Sequence, residues 1–330
     1  MPAKAEANHN MRPLHEAPSP FENTFQDRHI ISIEQFSKED LSFLVRVAEM
    51  MRRAVEKDWH LRPLTEKSVT ALFYEASSRT FGSFVAAAER LGAGVTQLSG
   101  VQFSSVSKGE TLEDTIRTFG TQSDLIVMRH PDVGAAAKAA EVSYVPIVNA
   151  GDGIGEHPTQ ALLDYYTIVR ELGSADGKHV VMVGDLKHGR TVHSLVKLLS
   201  MFDAKVSFVS PDSLKMPPDL VENATKYGIM GAQTNDILEV LGSADVLYVT
   251  RVQKERFPNE EDYNAVKDDY VITPGLIKRA KEDMVVMHPF PRVNEIDERV
   301  DKDRRAAYFR QMENGLYIRM ALLAAVLGKV

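Results

Sequence analysis

The chain has 330 residues, 44% hydrophobic, 8% aromatic and 26% charged, enough for two packed lobes and therefore for a cleft between them. Its formal net charge of -7 argues against a nucleic-acid partner, because affinity for a polyanion rests on a surplus of Lys and Arg over one surface. The chain has no cysteine, which excludes disulfides, thiolate metal sites and thiol nucleophiles and suits a cytoplasmic protein.

Residues 1–25 are expected to form a flexible leader, since the stretch up to residue 20 carries Pro, His, Ala and Asn with no apolar periodicity and no secretory core. A helix is predicted over about Lys38–Lys57. Ser37 is placed as its N-cap and Asp40 at the third helical position, with Leu41, Leu44, Val45 and Ala48 forming one apolar stripe. From residue 68 onward short apolar runs alternate with amphipathic segments, the rhythm of βα units. Strands are expected at Ser68–Tyr74, Asp124–Arg129, Val145–Ala150, His179–Gly184, Lys205–Val209, Asp245–Thr250 and Met284–His288. Several of these runs are continuous in Val, Ile, Leu and Met, as in parallel strands buried on both faces, which disfavours an antiparallel sandwich.

Between Arg170 and Lys178 a long helical pattern ends and Gly173, Ser174, Asp176 and Gly177 precede a fresh βα series, marking the boundary between lobes. The last predicted helix, about Gly315–Leu327, is apolar on several sides and is expected to return and cover the first lobe. Its apolar stretch Met320–Gly328 falls short of the roughly 20 residues that span a bilayer, so no membrane partner is expected. The fold class that follows is α/β: two doubly wound parallel-sheet domains, a cleft between them, and a C-terminal helix returning to the first.

Chemistry gathers at the predicted strand ends. Tyr74-Glu75-Ala76-Ser77-Ser78-Arg79-Thr80 brings three hydroxyls and a guanidinium to a helix start, where unpaired N–H groups and partial positive charge suit a phosphate. Alone, the segment reads equally well as an N-cap beside a surface Arg. Asn149-Ala150-Gly151-Asp152-Gly153 followed by His157-Pro158-Thr159-Gln160 uses the same sheet edge, and Arg129 arrives there on a third strand. By itself His157 is as readily a structural cap as a functional imidazole. Together these groups put Arg79 and Arg129 on a phosphate, and Thr80 and His157 near a carbonyl oxygen, an acyl-transfer site without a side-chain nucleophile. In the second half, Gly184-Asp185-Leu186-Lys187-His188-Gly189-Arg190-Thr191 and Thr250-Arg251-Val252-Gln253-Lys254-Glu255-Arg256 also follow strands. Arg190 and Arg251 read as partners for a dicarboxylate, because the guanidinium fork matches a carboxylate, whereas Lys254 reads as a solvated charge.

From about residue 30 to the C-terminus the sequence resembles the catalytic chains of aspartate transcarbamoylases. Ser77-Ser78-Arg79-Thr80 resembles the family's Ser-Thr-Arg-Thr loop, and Arg-His-Pro, His-Pro-Thr-Gln and the two second-half runs match its other motifs in order. The resemblance implies transfer of the carbamoyl group of carbamoyl phosphate to the amine of L-aspartate, a step of pyrimidine biosynthesis, with neither metal nor cofactor. It implies residues 26–170 plus 310–330 as the carbamoyl phosphate-binding domain and 171–309 as the aspartate-binding domain. Ser77, Ser78, Arg79 and Thr80 would bind phosphate, with Arg129, His157 and Gln160 on the carbamoyl group. Arg190, Arg251 and Gln253 would hold aspartate, joined by the Phe290 backbone and Pro291 of His288-Pro289-Phe290-Pro291-Arg292, where Phe290 departs from the family's Leu. The family shares sites between neighbours in a homotrimer, which implies Ser104 and Lys108 as groups lent to the adjoining site. The catalytic set would be Arg79, Thr80, Lys108, Arg129 and His157. A closure role for Glu75, pairing with Arg190 and Arg256, is a further expectation.

Three rivals are weaker. An ornithine-type transcarbamoylase resembles a pattern with Asp/Ser-Met-Gly and His-Cys-Leu-Pro segments, and this chain has no cysteine. A nucleotide-dependent dehydrogenase would need a close glycine pair where only Gly184 and Gly189 occur. A catalytically silent relative would have been free to lose Arg79, Lys108 or His157, and all are present.

Overall fold

A computed structural model describes residues 23–330 apart from Trp59, 101–104, 254–256, 258, 267–268 and the side chains of Ser105, Asp262 and Ala265. The expected leader is too long at its inner end. Phe25 is fully buried, its ring stacked on Phe43 at 5.8 Å, and the Asn23 side chain donates to the carbonyl of Ala325 at 3.0 Å. Residues 1–22 lie outside the described residues.

The first sheet contains β1 (Ser68–Phe73), β2 (Gly94–Ser99), β3 (Leu125–His130) and β4 (Ile147–Asp152) in the order β2-β1-β3-β4. The second contains β5 (His179–Val183), β6 (Lys205–Val209), β7 (Met230–Thr234), β8 (Val246–Val249) and β9 (Val285–Met287) in the order β7-β6-β5-β8-β9. Every pairing is parallel, and the central strands are buried along both faces, as their unbroken apolar runs require. The strands that the sequence pattern does not predict, β2 and β7, are edge strands. Their sequences, Gly-Val-Thr-Gln-Leu-Ser and Met-Gly-Ala-Gln-Thr, are half solvated and so carry no continuous apolar run.

Both sheets reverse their strand order once, between β1 and β3 and between β5 and β8. Phe73 is in register with Arg129 at the first reversal, and Val183 with Val249 at the second. A crevice opens beyond the carboxyl ends of strands at such a reversal, because the flanking connections leave in opposite directions. Four of the polar runs singled out in the sequence begin at these strand ends, and the His157 and His288 runs follow the neighbouring strands β4 and β9.

Helices α1 (Lys38–Glu56), α2 (Ser78–Arg90), α3 (Leu112–Gly120), α4 (Ala135–Val142), α5 (Pro158–Leu172), α6 (Arg190–Leu199) and α7 (Pro218–Lys226) cover the sheets. The α1 start follows its cap chemistry: Ser37 Oγ accepts from Asp40 N, while the Asp40 carboxylate accepts from Ser37 N, both at 3.1 Å. The C-terminal helix runs Tyr308–Val326 and so begins earlier than the expected Gly315. Phe309, Arg310 and Glu313 break the apolar pattern there while the first turn still docks on β9. This helix packs against α1, α2 and α5 of the first lobe. One hydrophobic core runs from β1 through α5 and the C-terminal helix to α6 and β5, and separate clusters line the outer face of each sheet.

Candidate active site

The cleft between the sheets encloses about 610 Å³ and is walled by the strand-end loops of both lobes. On the first wall, β1 ends at Phe73 and α2 begins at Ser78, with Ser77 at the N-cap position. The Ser77 hydroxyl makes no capping hydrogen bond, which leaves first-turn donors open to a ligand. Ser78 and Arg79 are exposed at this turn, and Thr80 is buried beneath it.

Arg129, at the end of β3, is buried with Nη1 donating to the Ala150 carbonyl at 3.3 Å and Nη2 lying 2.7 Å from Glu75 Oε2. Its Nε has no hydrogen-bond partner among the described residues. Gly151 makes this packing possible: at φ +119 its backbone suits glycine, and a Cβ there would sit 3.0 Å from Arg129 Nη1 and 3.4 Å from Arg190 Cζ. The β4 strand runs on to Asp152, past the predicted Ala150, and so presents this glycine on an ordered edge.

His157 is the N-cap residue of α5, but its ring makes no capping bond. Its backbone N–H donates to Ser194 Oγ at 3.1 Å, and Nδ1 lies 3.4 Å from Thr159 Oγ1. Burial holds the imidazole well below the usual histidine range, and the Arg190, Arg129 and Arg319 cations push it the same way. It is therefore a neutral ring, able to donate one N–H. Gln160 forms the same wall one turn along, with its Nε2 donating to Asp164 at 2.9 Å.

The second wall comes from β5 and β8. Gly184 takes φ +114 where β5 passes β8, and a Cβ there would meet the Thr250 carbonyl oxygen at 2.3 Å, so only glycine admits this approach. Beyond it Asp185 is fully buried and accepts from the His188 N–H at 3.0 Å, fixing the turn that delivers Arg190 to the start of α6. Arg190 donates to the Gly153 carbonyl and lies 3.6 Å from Glu75, so it spans the cleft. Arg251 and Gln253 follow β8, and Gln253 Nε2 donates to the His188 carbonyl at 3.2 Å. His288, Pro289, Phe290 and Pro291 close the rim after β9. His288 is held by a 2.6 Å contact to Glu295, and Phe290 N donates to His288 Nδ1 at 2.8 Å.

The charge balance of this cleft is cationic. Burial lowers Arg129 to about 10, with Arg190 adding to the effect and Glu75 opposing it, and burial alone lowers Arg319 to about 10. Burial also lowers Arg79, and Arg251 across the cleft adds to it. Guanidinium groups stay charged in proteins, so these displacements record cationic groups partly withdrawn from water. The site is built to take up anions from both sides.

Of the residues predicted from sequence, Ser77, Ser78, Arg79, Thr80, Arg129, His157, Gln160, Arg190, Arg251, Gln253, Phe290 and Pro291 meet in this one cleft. Glu75 lies between Arg129 and Arg190, nearer to Arg129, a partner not anticipated for it. Lys108 ends a short turn of helix, is exposed, and is not part of this lining. Ser104 and Arg256 lie outside the described residues. Cleft residues that sequence reasoning passed over include Arg319 and Ser83. Arg319 carried a signal: it is a lone charge inside the apolar run Ile318-Arg319-Met320-Ala321-Leu322, and it is buried with Nη1 donating to Ser83 Oγ at 3.0 Å.

Family models match nearly the whole chain. The carbamoyl-P binding domain of aspartate/ornithine carbamoyltransferases matches residues 28–170, and the Asp/Orn binding domain matches residues 176–326. The aspartate carbamoyltransferase catalytic subunit of Thermococcus onnurineus is 46% identical over 304 residues, 92% of this chain and 98% of that one. Multifunctional protein pyr1-3 of Dictyostelium discoideum is 50% identical over 307 residues, 93% of this chain, and the match spans only 14% of that much longer relative. Among solved structures, aspartate transcarbamoylase from Trypanosoma cruzi in complex with carbamoyl phosphate is similar with a TM-score of 0.88 and 48% identity. That match covers 92% of this chain and 97% of that one.

Proposed function

The chain belongs to the aspartate/ornithine carbamoyltransferase family, and from that premise we propose that it transfers the carbamoyl group of carbamoyl phosphate to the amine of L-aspartate. The products are N-carbamoyl-L-aspartate and phosphate, in keeping with a step of pyrimidine biosynthesis in the cytoplasm. The observation that carries the reading is the meeting of Arg79 and Arg129 from one sheet edge with Arg190 and Arg251 from the other in a single cleft.

In this reading the lobe of residues 26–170 plus 310–330 holds carbamoyl phosphate and the lobe of 171–309 holds aspartate. The α2 start takes the phosphate on Ser77, Ser78, Arg79 and Thr80, while Arg129 and the neutral His157 donate to the carbonyl oxygen. As the amine attacks the carbonyl carbon, negative charge grows on that oxygen, and fixed donors in a desolvated cleft stabilise it without reorganising. The carbon–oxygen bond to phosphate then breaks as the proton lost by the attacking nitrogen passes to the departing phosphate oxygen, and the Arg79 turn receives the resulting hydrogen phosphate dianion. Arg190, Arg251 and Gln253 hold the two aspartate carboxylates against the repulsion of the phosphate, so positioning supplies the remaining rate enhancement. Aspartate is favoured over ornithine because a second-wall pair of arginines attracts a dicarboxylate and repels an added ammonium group.

A colorimetric assay for the ureido product, run with aspartate and with ornithine as acceptor, tests this reading. Product with aspartate alone is expected; none with either acceptor at saturation would defeat it. A homotrimer with shared sites is part of the proposal, supported by Lys108 standing exposed and outside its own cleft. Mixing Lys108→Ala chains with Arg79→Ala chains should restore part of the activity in hybrids, and a total absence of recovery would count against sharing.

A further inference from the structure

Asp164 is a fully buried carboxylate on α5, one turn beyond Gln160, and no step described above uses it. Three donors from three parts of the chain converge on it. Gln160 Nε2 donates to Oδ1 at 2.9 Å, Gln311 Nε2 of the C-terminal helix donates to the same oxygen at 2.7 Å, and the Tyr248 hydroxyl on β8 donates to Oδ2 at 2.7 Å.

This arrangement determines which way each amide points. A carboxylate only accepts, so a glutamine facing it must turn its NH2 inward. Gln311 gives an independent check, because its Oε1 accepts from the His288 backbone N–H at 2.8 Å, and a backbone N–H can only donate. Its Nε2 is therefore the atom left for Asp164, and Oδ1 acts as acceptor. Burial pushes Asp164 up to about 7 against the pull of the three donors. Gln160 shares Oδ1, so its own Nε2 is committed too. The Gln160 carbonyl oxygen is then the group it offers to the cleft that its side chain lines.

Gln160 is already assigned to the carbamoyl group by the family resemblance; we propose that Asp164 is the positioning residue behind it, which by accepting the Gln160 amide turns the Gln160 carbonyl oxygen into the cleft toward the ligand's amino group. The proposal rests on the transcarbamoylase reading and adds a basis for selectivity. An acceptor at this place favours a ligand with an N–H group over one of the same shape without it, because the unmatched oxygen would be left desolvated and unpaired. Carbamoyl phosphate and acetyl phosphate make the comparison directly, since they share phosphate and carbonyl and differ only in amino against methyl.

The test is the ratio of affinities for these two ligands in the full-length protein, taken from KM for carbamoyl phosphate and from competitive inhibition by acetyl phosphate. In Asp164→Leu the Gln160 amide loses its anchor, and carbamoyl phosphate should weaken about tenfold while acetyl phosphate changes less than about twofold. Tyr248→Phe removes the hydroxyl that touches both Oδ2 and Gln160 but leaves both amide donors on Oδ1, and should lower the ratio less than Asp164→Leu does. Should Asp164→Leu fail to fold, Gln160→Met carries the test and should lose the same discrimination. An unchanged ratio in Asp164→Leu or Gln160→Met, an equal weakening of both ligands, or a loss in Tyr248→Phe as large as in Asp164→Leu would each overturn the proposal. If the unmodified protein makes no carbamoylaspartate, the functional reading itself fails, an outcome distinct from a failure of this role.

Discussion

Arg129, His157 and Gln160 on the first wall of the cleft are 7%, 3% and 6% exposed, whereas Arg190, Arg251 and Gln253 on the second remain partly open to solvent. Both walls are strand-end loops at a reversal of strand order, so the difference comes from what lies behind them. The first wall is backed by α5 and the C-terminal helix, which shut water out behind His157 and Gln160. The second wall is a rim whose arginines are only partly covered, with Arg190 reaching across the cleft to Gly153 and Glu75. Desolvated donors act strongly on developing charge, and hydrated ones contribute mainly affinity. The buried part of the first wall, Arg129, His157 and Gln160, is therefore expected to govern turnover, and the second wall to govern acceptor binding.

The hardest blow to that division is Arg129→Ala. Removing a preorganised donor from the carbonyl oxygen should lower kcat by about 10²- to 10³-fold with the fold retained by circular dichroism. A fall of less than tenfold would leave the first wall no special place. Next comes Arg251→Ala, which should raise the KM for aspartate by about 10- to 100-fold, the cost of a charged hydrogen-bonded contact, with little change in the KM for carbamoyl phosphate. Equal damage to both constants would merge the two walls into one.

Glu75→Gln sharpens the comparison at the point where the walls touch. Glu75 lies between Arg129 and Arg190, and losing its charge should raise the KM for aspartate by about three- to tenfold as Arg190 loses its tie across the cleft. Unaltered turnover and aspartate affinity would remove Glu75 from closure. The smallest effect concerns pH. Burial first, then neighbouring arginines, depress His157 in the folded protein below the unfolded value of 6.5. Above pH 6.5 both states hold a neutral ring; as pH falls through 6.5 only the unfolded chain takes up the proton, so stability is lost by up to about 1.4 kcal/mol per pH unit. Urea unfolding at pH 8 and pH 5.5 should show a smaller pH-dependent loss in His157→Asn than in the unmodified protein, by about 1 kcal/mol. Parallel losses in the two proteins would mean that the first wall is wetter than its burial implies.

Much of the fold and of the cleft is legible in the amino-acid order. Val180-Val181-Met182-Val183 and Leu125-Ile126-Val127-Met128 announce central parallel strands, because a strand covered on both faces needs no polar alternation. Ser37 with Asp40 announces a helix start, since both partners of the cap lie within one turn. The polar runs after the central strands mark the cleft for the same reason: each is contiguous in sequence. The edge strands β2 and β7 are not legible, because half their surface meets water and their composition resembles that of a loop.

By itself, then, the amino-acid order determined whatever acts over a few residues: the α/β rhythm, the caps and the motifs at strand ends. Only the tertiary structure decided the pairing of groups far apart along the chain. Asp164 meets Tyr248 and Gln311 across separations of 84 and 147 residues, and Arg319 meets Ser83 across 236. Burial of an ionisable group is tolerable only when distant donors or acceptors arrive to satisfy it, and no local pattern records which ones will.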